Sequence, residues 1–231
     1  MRGAVLIVTV VLAACAPPSQ RVDVANVPQC SALARGDDGR VSGDCLMTAG
    51  PAQLHVTFEE PGGTGQGGAV RVDVLNDQGA VAQTFTEANV SELLLPSADD
   101  IDGDGRADIL IGIASGNVNT EYAVWLYNGA DNAYRRAGII SGMEFSRTSE
   151  GYLAAPARSS AASWNVAFYR VEATLEPLVT ISVTATDVTD AGQVRASECK
   201  IEAAPGLASL NMTEEAARAK FCAEPQAGVF Q

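Results

Sequence analysis

The stretch SADDIDGDGRADILIG, from Ser97 to Gly112, places five aspartates and three glycines between two apolar runs. Read from Asp100 it follows D-x-D-x-D-G-x-x-D, with carboxylates at Asp100, Asp102, Asp104 and Asp108. Alternate side chains of a tight loop converge on one centre, and Gly105 permits the sharp turn after the third carboxylate. The carbonyl of Arg106 adds a further oxygen. Oxygen ligands without histidine or thiolate select a hard cation, and their number and flexibility favour Ca2+ over Mg2+. The cation would neutralise like charges that otherwise repel. The loop is not a complete EF-hand: counting Asp100 as position one, position twelve is Ile111, where a bidentate Glu is required. Asp108 must therefore close the shell, and Asp99 is left over. The alternative is a metal-free Asp/Gly turn.

No other group of residues marks a reaction. The chain has one histidine, His55, in a strand-like run, which reads as a half-buried structural residue before it reads as a base. A nucleophile elbow, a Ser-His-Asp set and an H-E-x-x-H motif are all missing from the sequence. Trp125 and Trp164 lie in apolar strand runs and read as core aromatics. The expectation is a protein that is not an enzyme.

The elements that must position the aspartates are mostly short strands. Leu54–Phe58 and Val70–Leu75 alternate apolar and polar residues, and Asn76-Asp77-Gln78-Gly79 forms a hairpin turn before Val81–Phe85. Val90–Leu95 reads as a short strand entering the aspartate loop and Ile109–Ile113 as the strand leaving it. Tyr122–Tyr127, Tyr134–Ile140, Tyr152-Leu153, Trp164–Val171, Leu178–Ala185 and Val194–Ile201 complete the set. Val22–Gly50 reads as irregular, and Pro61–Gly68 as a glycine-rich turn. One helix stands near the C-terminus, with Asn211 as its cap, Glu214 three residues later and Ala216, Ala217 and Ala219 in its body. The expected fold is mainly β: an antiparallel sandwich or partial propeller-like domain with one short C-terminal helix.

The chain begins MRGAVLIVTVVLAACAPPSQ. Arg2 precedes an apolar run, Ala4–Ala14, too short for a bilayer span of ~20 residues. Leu12-Ala13-Ala14-Cys15 resembles a bacterial lipobox. The resemblance implies a signal peptide over 1–14, lipidation of Cys15, and a tether over 15–29 leading to a single β domain at 30–231. Ala16 in place of Asp after the cysteine implies outer-membrane transport, facing the periplasm or the cell surface. The other cysteines, Cys30, Cys45, Cys199 and Cys222, are even in number, as disulfides in an oxidising compartment require. Three connectivities are possible; the local pairs Cys30–Cys45 and Cys199–Cys222 are expected. A zinc site is the rival reading, and the spacings do not fit it.

The net charge is −13 over 231 residues, with 47% hydrophobic and 19% charged residues. Such a surface repels phosphate, which argues against nucleic acid as a partner, and attracts cationic partners. The plainer reading is that acidity keeps an exported protein soluble.

DIDGDGRADILIG resembles the calcium loop of FG-GAP and VCBS repeats. Gly116–Tyr122, then Val124-Trp125-Leu126-Tyr127-Asn128 and Ala133-Tyr134-Arg135-Arg136, extend the likeness to a family of bacterial periplasmic lipoproteins with one such loop. The resemblance implies an inhibitor of lysozyme-like peptidoglycan hydrolases, of the immunity type in some members. A basic lysozyme-like partner would be steered to an acidic inhibitor. The loops Ser141–Tyr152 and Arg158–Ser163 are candidates to enter its cleft, with Arg147, Tyr152 and Arg158 as contact residues. The alternative is a structural or adhesive envelope lipoprotein with no enzyme target.

Overall fold

The computed structural model describes residues 20–59, 68–91, 94–189 and 193–228. Cys15, the signal segment and most of the Pro61–Gly68 turn lie outside the described residues. The chain is mainly β, as expected, and folds into three antiparallel sheets. Sheet one contains β1 (Gly43–Ala49), β2 (Ala52–Glu59), β3 (Gly68–Leu75) and β4 (Val81–Val90). Sheet two contains β5 (Ser97–Asp99), β6 (Asp108–Ser115), β7 (Thr120–Asn128) and β8 (Ala133–Gly142). Sheet three contains β9 (Ser146–Arg147), β10 (Leu153–Arg158), β11 (Ser163–Val171), β12 (Leu175–Val188) and β13 (Val194–Ala203). In each sheet every strand pairs with its neighbour in sequence, so each is a meander. Short tight turns make this possible. At Asn76–Gly79 the Asn76 side chain accepts the N–H groups of Gln78 and Ala80, and Gly79 takes the positive φ of 72° that the turn demands.

The sheets pack as successive layers. Ile109 and Ile111 of β6 join sheet one's apolar face, formed by Leu54, Val56, Val70 and Val72. Leu110, between them, points the other way and packs with Leu153 and Ala155 of sheet three. Sheet two is thus covered on both faces. That explains why Ile109-Leu110-Ile111 is a continuous apolar run while the half-covered β2 alternates. Sheet three buries its far face, Trp164, Val166, Phe168 and Ile181, under the C-terminal helices α1 (Leu207–Leu210) and α2 (Glu214–Phe221).

Polar contacts fasten sheet one to sheet two. Glu87 of β4, only 7% exposed, accepts both Nε (2.8 Å) and Nη2 (2.9 Å) of Arg136 on β8, and also the Trp125 indole N–H. The Trp125 ring stacks on Phe85 with centroids 4.1 Å apart. The Gln83 amide donates to the carbonyl of Tyr134 and accepts its N–H, so a side chain stands in for a strand neighbour. The two expected disulfides are both present. Cys30–Cys45 ties the N-terminal segment to β1, and Cys199–Cys222 ties β13 to the end of α2.

Three expectations are corrected. The irregular Val22–Gly50 segment contains β1, whose burial does not alternate; pairing with β2 and the Cys45 bridge, not periodicity, make it a strand. Val90–Leu95 is not a strand: Val90 ends β4, and Leu94 turns back to donate its N–H to Ser91 O. Leu94 then lies directly on Gly112, where a Cβ would stand 2.3 Å from its Cδ1. The strand before the aspartate loop is instead β5. The cap of α2 is Thr213, whose Oγ1 accepts the Ala216 N–H. Asn211 sits in the left-handed region (φ 51°) and ends α1 instead. Among the described residues no helix is long and apolar enough to cross a membrane.

Ile111 is 1% exposed at the junction of sheets one and two. Ile111→Ala removes packing that nothing nearby replaces and should cost about 3 kcal/mol. Urea unfolding followed by tryptophan fluorescence measures the loss.

Candidate metal centre

The aspartate loop spans residues 100–107 and joins β5 to β6 at one end of sheet two. β5 pairs Asp99 opposite Asp108, which closes the neck of the loop. Within it the carboxylates first organise their own backbone. Asp100 accepts the N–H groups of Gly103 (2.8 Å) and Gly105 (3.1 Å). Asp102 accepts that of Asp104 (3.0 Å), and Asp104 that of Arg106 (2.8 Å). Gly103 and Gly105 take positive φ, 77° and 83°, where a side chain would strain the turn. Asp99 stays outside, exposed, accepting the N–H of Asp100.

Asp108 is different. It is fully buried at the first position of β6. Its Oδ2 accepts the N–H groups of Ile101 (2.9 Å) and Asp102 (3.3 Å), and its Oδ1 accepts that of Tyr127 (2.8 Å) on β7. A carboxylate has about four lone-pair directions, so these three bonds leave room for one more partner. Burial pushes its carboxyl up to about 6, helped by the charge of Asp102 and opposed by the three N–H donors. Burial also raises Asp102, with Asp104 and Asp100 adding repulsion and Arg147 working against them. Tyr134, whose hydroxyl donates to the carbonyl of Ala107, is pushed up to about 12 by burial and by Asp108.

Asp100, Asp102 and Asp108 each offer a carboxylate oxygen, and these atoms lie within 4.8 Å of one another. This cluster could hold a metal ion. Oxygen-only donors of this charge suit a hard cation and offer nothing to a soft one. Asp104 stands at the exposed rim, bound to its own loop backbone rather than gathered into the trio. The Arg106 side chain leaves the loop and lies over the Tyr127 ring, 5.2 Å from its centroid.

The three expected contact residues are placed as follows. Arg147 is half-buried against the loop. It donates to the carbonyls of Ile101 and Gly151, and its Nε would meet a Cβ at Gly103 at only 2.7 Å. It therefore braces the aspartate loop. Tyr152 is half-buried between Phe221 and the Lys220 ammonium. Arg158 is exposed, and its guanidinium donates to the carbonyls of Ser160 and Ala161 in the next turn. His55 sits between two carboxylates, Nε2 2.9 Å from Asp44 and Nδ1 3.7 Å from Asp73, with a side chain only 12% exposed. Trp164 is 3% exposed in the core of sheet three.

One member of the site and the role of another escaped sequence reasoning. The Tyr127 N–H carries no side-chain signature and lies 19 residues from Asp108. The bracing role of Arg147 depends on sheet three packing behind the loop.

Fold and site together define a three-sheet β protein with an acidic cluster able to take a metal ion. No family model, no curated protein and no solved structure matches the chain.

In the absence of a cation, the raised carboxyl of Asp108 binds its proton more tightly folded than unfolded. Its contribution to stability is therefore present at ~4 and is lost as pH rises through about 6. Melts in EDTA across that window should show the decline, and Asp108→Asn should flatten it. The same substitution puts an amide NH2 against a buried N–H donor and should cost on the order of 1–3 kcal/mol in urea unfolding at neutral pH.

Proposed function

We propose that this chain is a calcium-clamped envelope lipoprotein that binds and inhibits a lysozyme-like peptidoglycan hydrolase. The observation that carries the calcium reading is the oxygen-only cluster of Asp100, Asp102 and Asp108, one member of which is fully buried and bonded across to β7. Asp104 and the Arg106 carbonyl complete the shell when the ion binds. A cation seated there holds the entry to β6 against β7, so its task is structural. Exported calcium modules bind with a Kd of roughly 10⁻⁴–10⁻³ M. At millimolar calcium that adds on the order of 1 kcal/mol by mass action.

The binding reading rests on other features. Two disulfides suit an oxidising compartment, and the lipobox-like Cys15 suits anchoring to the outer membrane. The net charge of −13 favours encounter with a basic hydrolase. Asp108 is buried and holds three backbone bonds, which withhold its carboxyl from a substrate and suit a structural part in a binding protein. The turn after Arg158 is exposed yet tied internally: Asn119 bonds both backbone groups of Arg158, and Ser160 and Ser163 bond each other. A preorganised loop of this kind enters a cleft at little entropic cost.

Two measurements test these parts separately. Calcium should raise the melting temperature by about 2–4 °C. EDTA should reverse the rise, and Asp102→Ala should abolish it; melting indifferent to EDTA overturns the metal reading. In a turbidity assay on peptidoglycan, micromolar protein should inhibit a lysozyme-like enzyme, and Arg158→Ala should weaken inhibition about tenfold. Failure to inhibit muramidases of any type leaves the structural or adhesive envelope role.

A further inference from the structure

Beside the aspartate loop, where the β3–β4 turn faces the β7–β8 turn, sheets one and two leave a cavity of about 590 Å³. That volume lies within the ~300–1,000 Å³ range of small-molecule sites. Ala52, Val74, Leu75 and Ala107 form apolar wall, while Arg106 and Asp77 bring the two charged side chains of the lining.

Several cations of this chain are held in ion pairs: Arg71 by Asp73, Arg136 by Glu87, Arg170 by Glu176, Lys220 by Glu150. Arg106 makes no ion pair among the described residues, and neither does Asp77. Arg106 is nonetheless positioned. Its guanidinium lies over Tyr127, and Gly129 makes way for it: a Cβ there would stand 1.9 Å from Nη1. The amide oxygens of the rim are engaged. The Asn76 amide oxygen already accepts two N–H groups of its turn, and that of Asn132 accepts the Tyr127 hydroxyl. The charged groups of the lining are one oriented guanidinium and one carboxylate, above an apolar floor between two sheets.

The geometry points to a binding site for a short apolar peptide, its terminal carboxylate on Arg106, its amine toward Asp77 and its side chains on the apolar wall. A guanidinium fork matches a carboxylate in two parallel bonds, which an ammonium would not reproduce. The pairing of one cation with one anion selects a zwitterion over a simple anion, since the net charge of −13 disfavours an uncompensated negative ligand. This site does not rest on the hydrolase reading; inhibition and peptide binding succeed or fail separately.

The test is calorimetric titration of the calcium-loaded full chain with leucyl-alanine, its C-terminal amide and its N-acetyl derivative, at millimolar ligand. Leucyl-alanine should bind saturably. The amide and the N-acetyl form should each bind about tenfold more weakly, as loss of one charged hydrogen-bonding end predicts. Arg106→Gln should weaken leucyl-alanine about tenfold and abolish its advantage over the amide. Gly129→Ala keeps every charge but displaces the guanidinium, and should erode the same advantage. Asp77→Asn should abolish the advantage over the N-acetyl form. No saturable binding, or binding that is indifferent both to the peptide's carboxylate and to Gly129→Ala, overturns the proposal, and neither result depends on Arg106→Gln being foldable.

Discussion

A single buried carboxylate, that of Asp108, holds the aspartate loop to the sheet. It takes N–H groups from Ile101, Asp102 and Tyr127, and so joins the start of the loop, the start of β6 and the end of β7. Burying an ionised acid is costly unless several donors compensate it, and three do. The remaining imbalance shows in its raised proton affinity and in that of Asp102. A divalent cation beside these groups would resolve both at once. It would remove the repulsion and favour the ionised form that the backbone donors already prefer. Structural stability and affinity for such an ion would then be the same interaction seen from two sides.

Around that point the protein is built in layers. Sheet two supplies apolar side chains to both neighbours, so the loop that closes one end of it is held by the whole stack. Arg147 carries this from behind. It reaches from sheet three to the carbonyl of Ile101, while Ile101 itself is buried among Leu110, Val124 and Leu153. On the other side, Glu87 and Arg136 lock sheet one to β8. The disulfides secure the segment before β1 and the helix after β13. The cavity carrying Arg106 and Asp77 lies where two of the layers splay apart, which is where a stacked β architecture has room for a ligand.

Much of this was legible in the sequence where a local rule applied. Alternation located β2 and β3, because burial on one face imprints a period of two on the residues. The turn at Asn76–Gly79 was readable because its chemistry is contained in four residues. The failures share a cause. β1 forms because β2 and a disulfide hold it, and Leu94 leaves the strand path because Gly112 offers it a hollow. Thr213 displaces Asn211 as the helix cap because a preceding short helix uses Asn211 to stop. In each case a neighbour distant in sequence, or an adjoining element, overrode local propensity.

The sequence by itself determined an acidic, oxygen-rich loop: four aspartates at fixed spacing, two glycines to bend the backbone between them, and an apolar run to carry the chain into the core. Those are properties of adjacent residues, and spacing is enough to specify them. Only the tertiary structure decided which carboxylates converge, that Asp108 is buried and tied to Tyr127, that Arg147 braces the loop, and that Arg106 turns away to line a cavity. Those outcomes depend on what packs behind and beside the loop, and the residues that do so come from β7, from sheet three and from the turn at Gly129. Their positions follow from how the layers stack, and no short-range pattern records that.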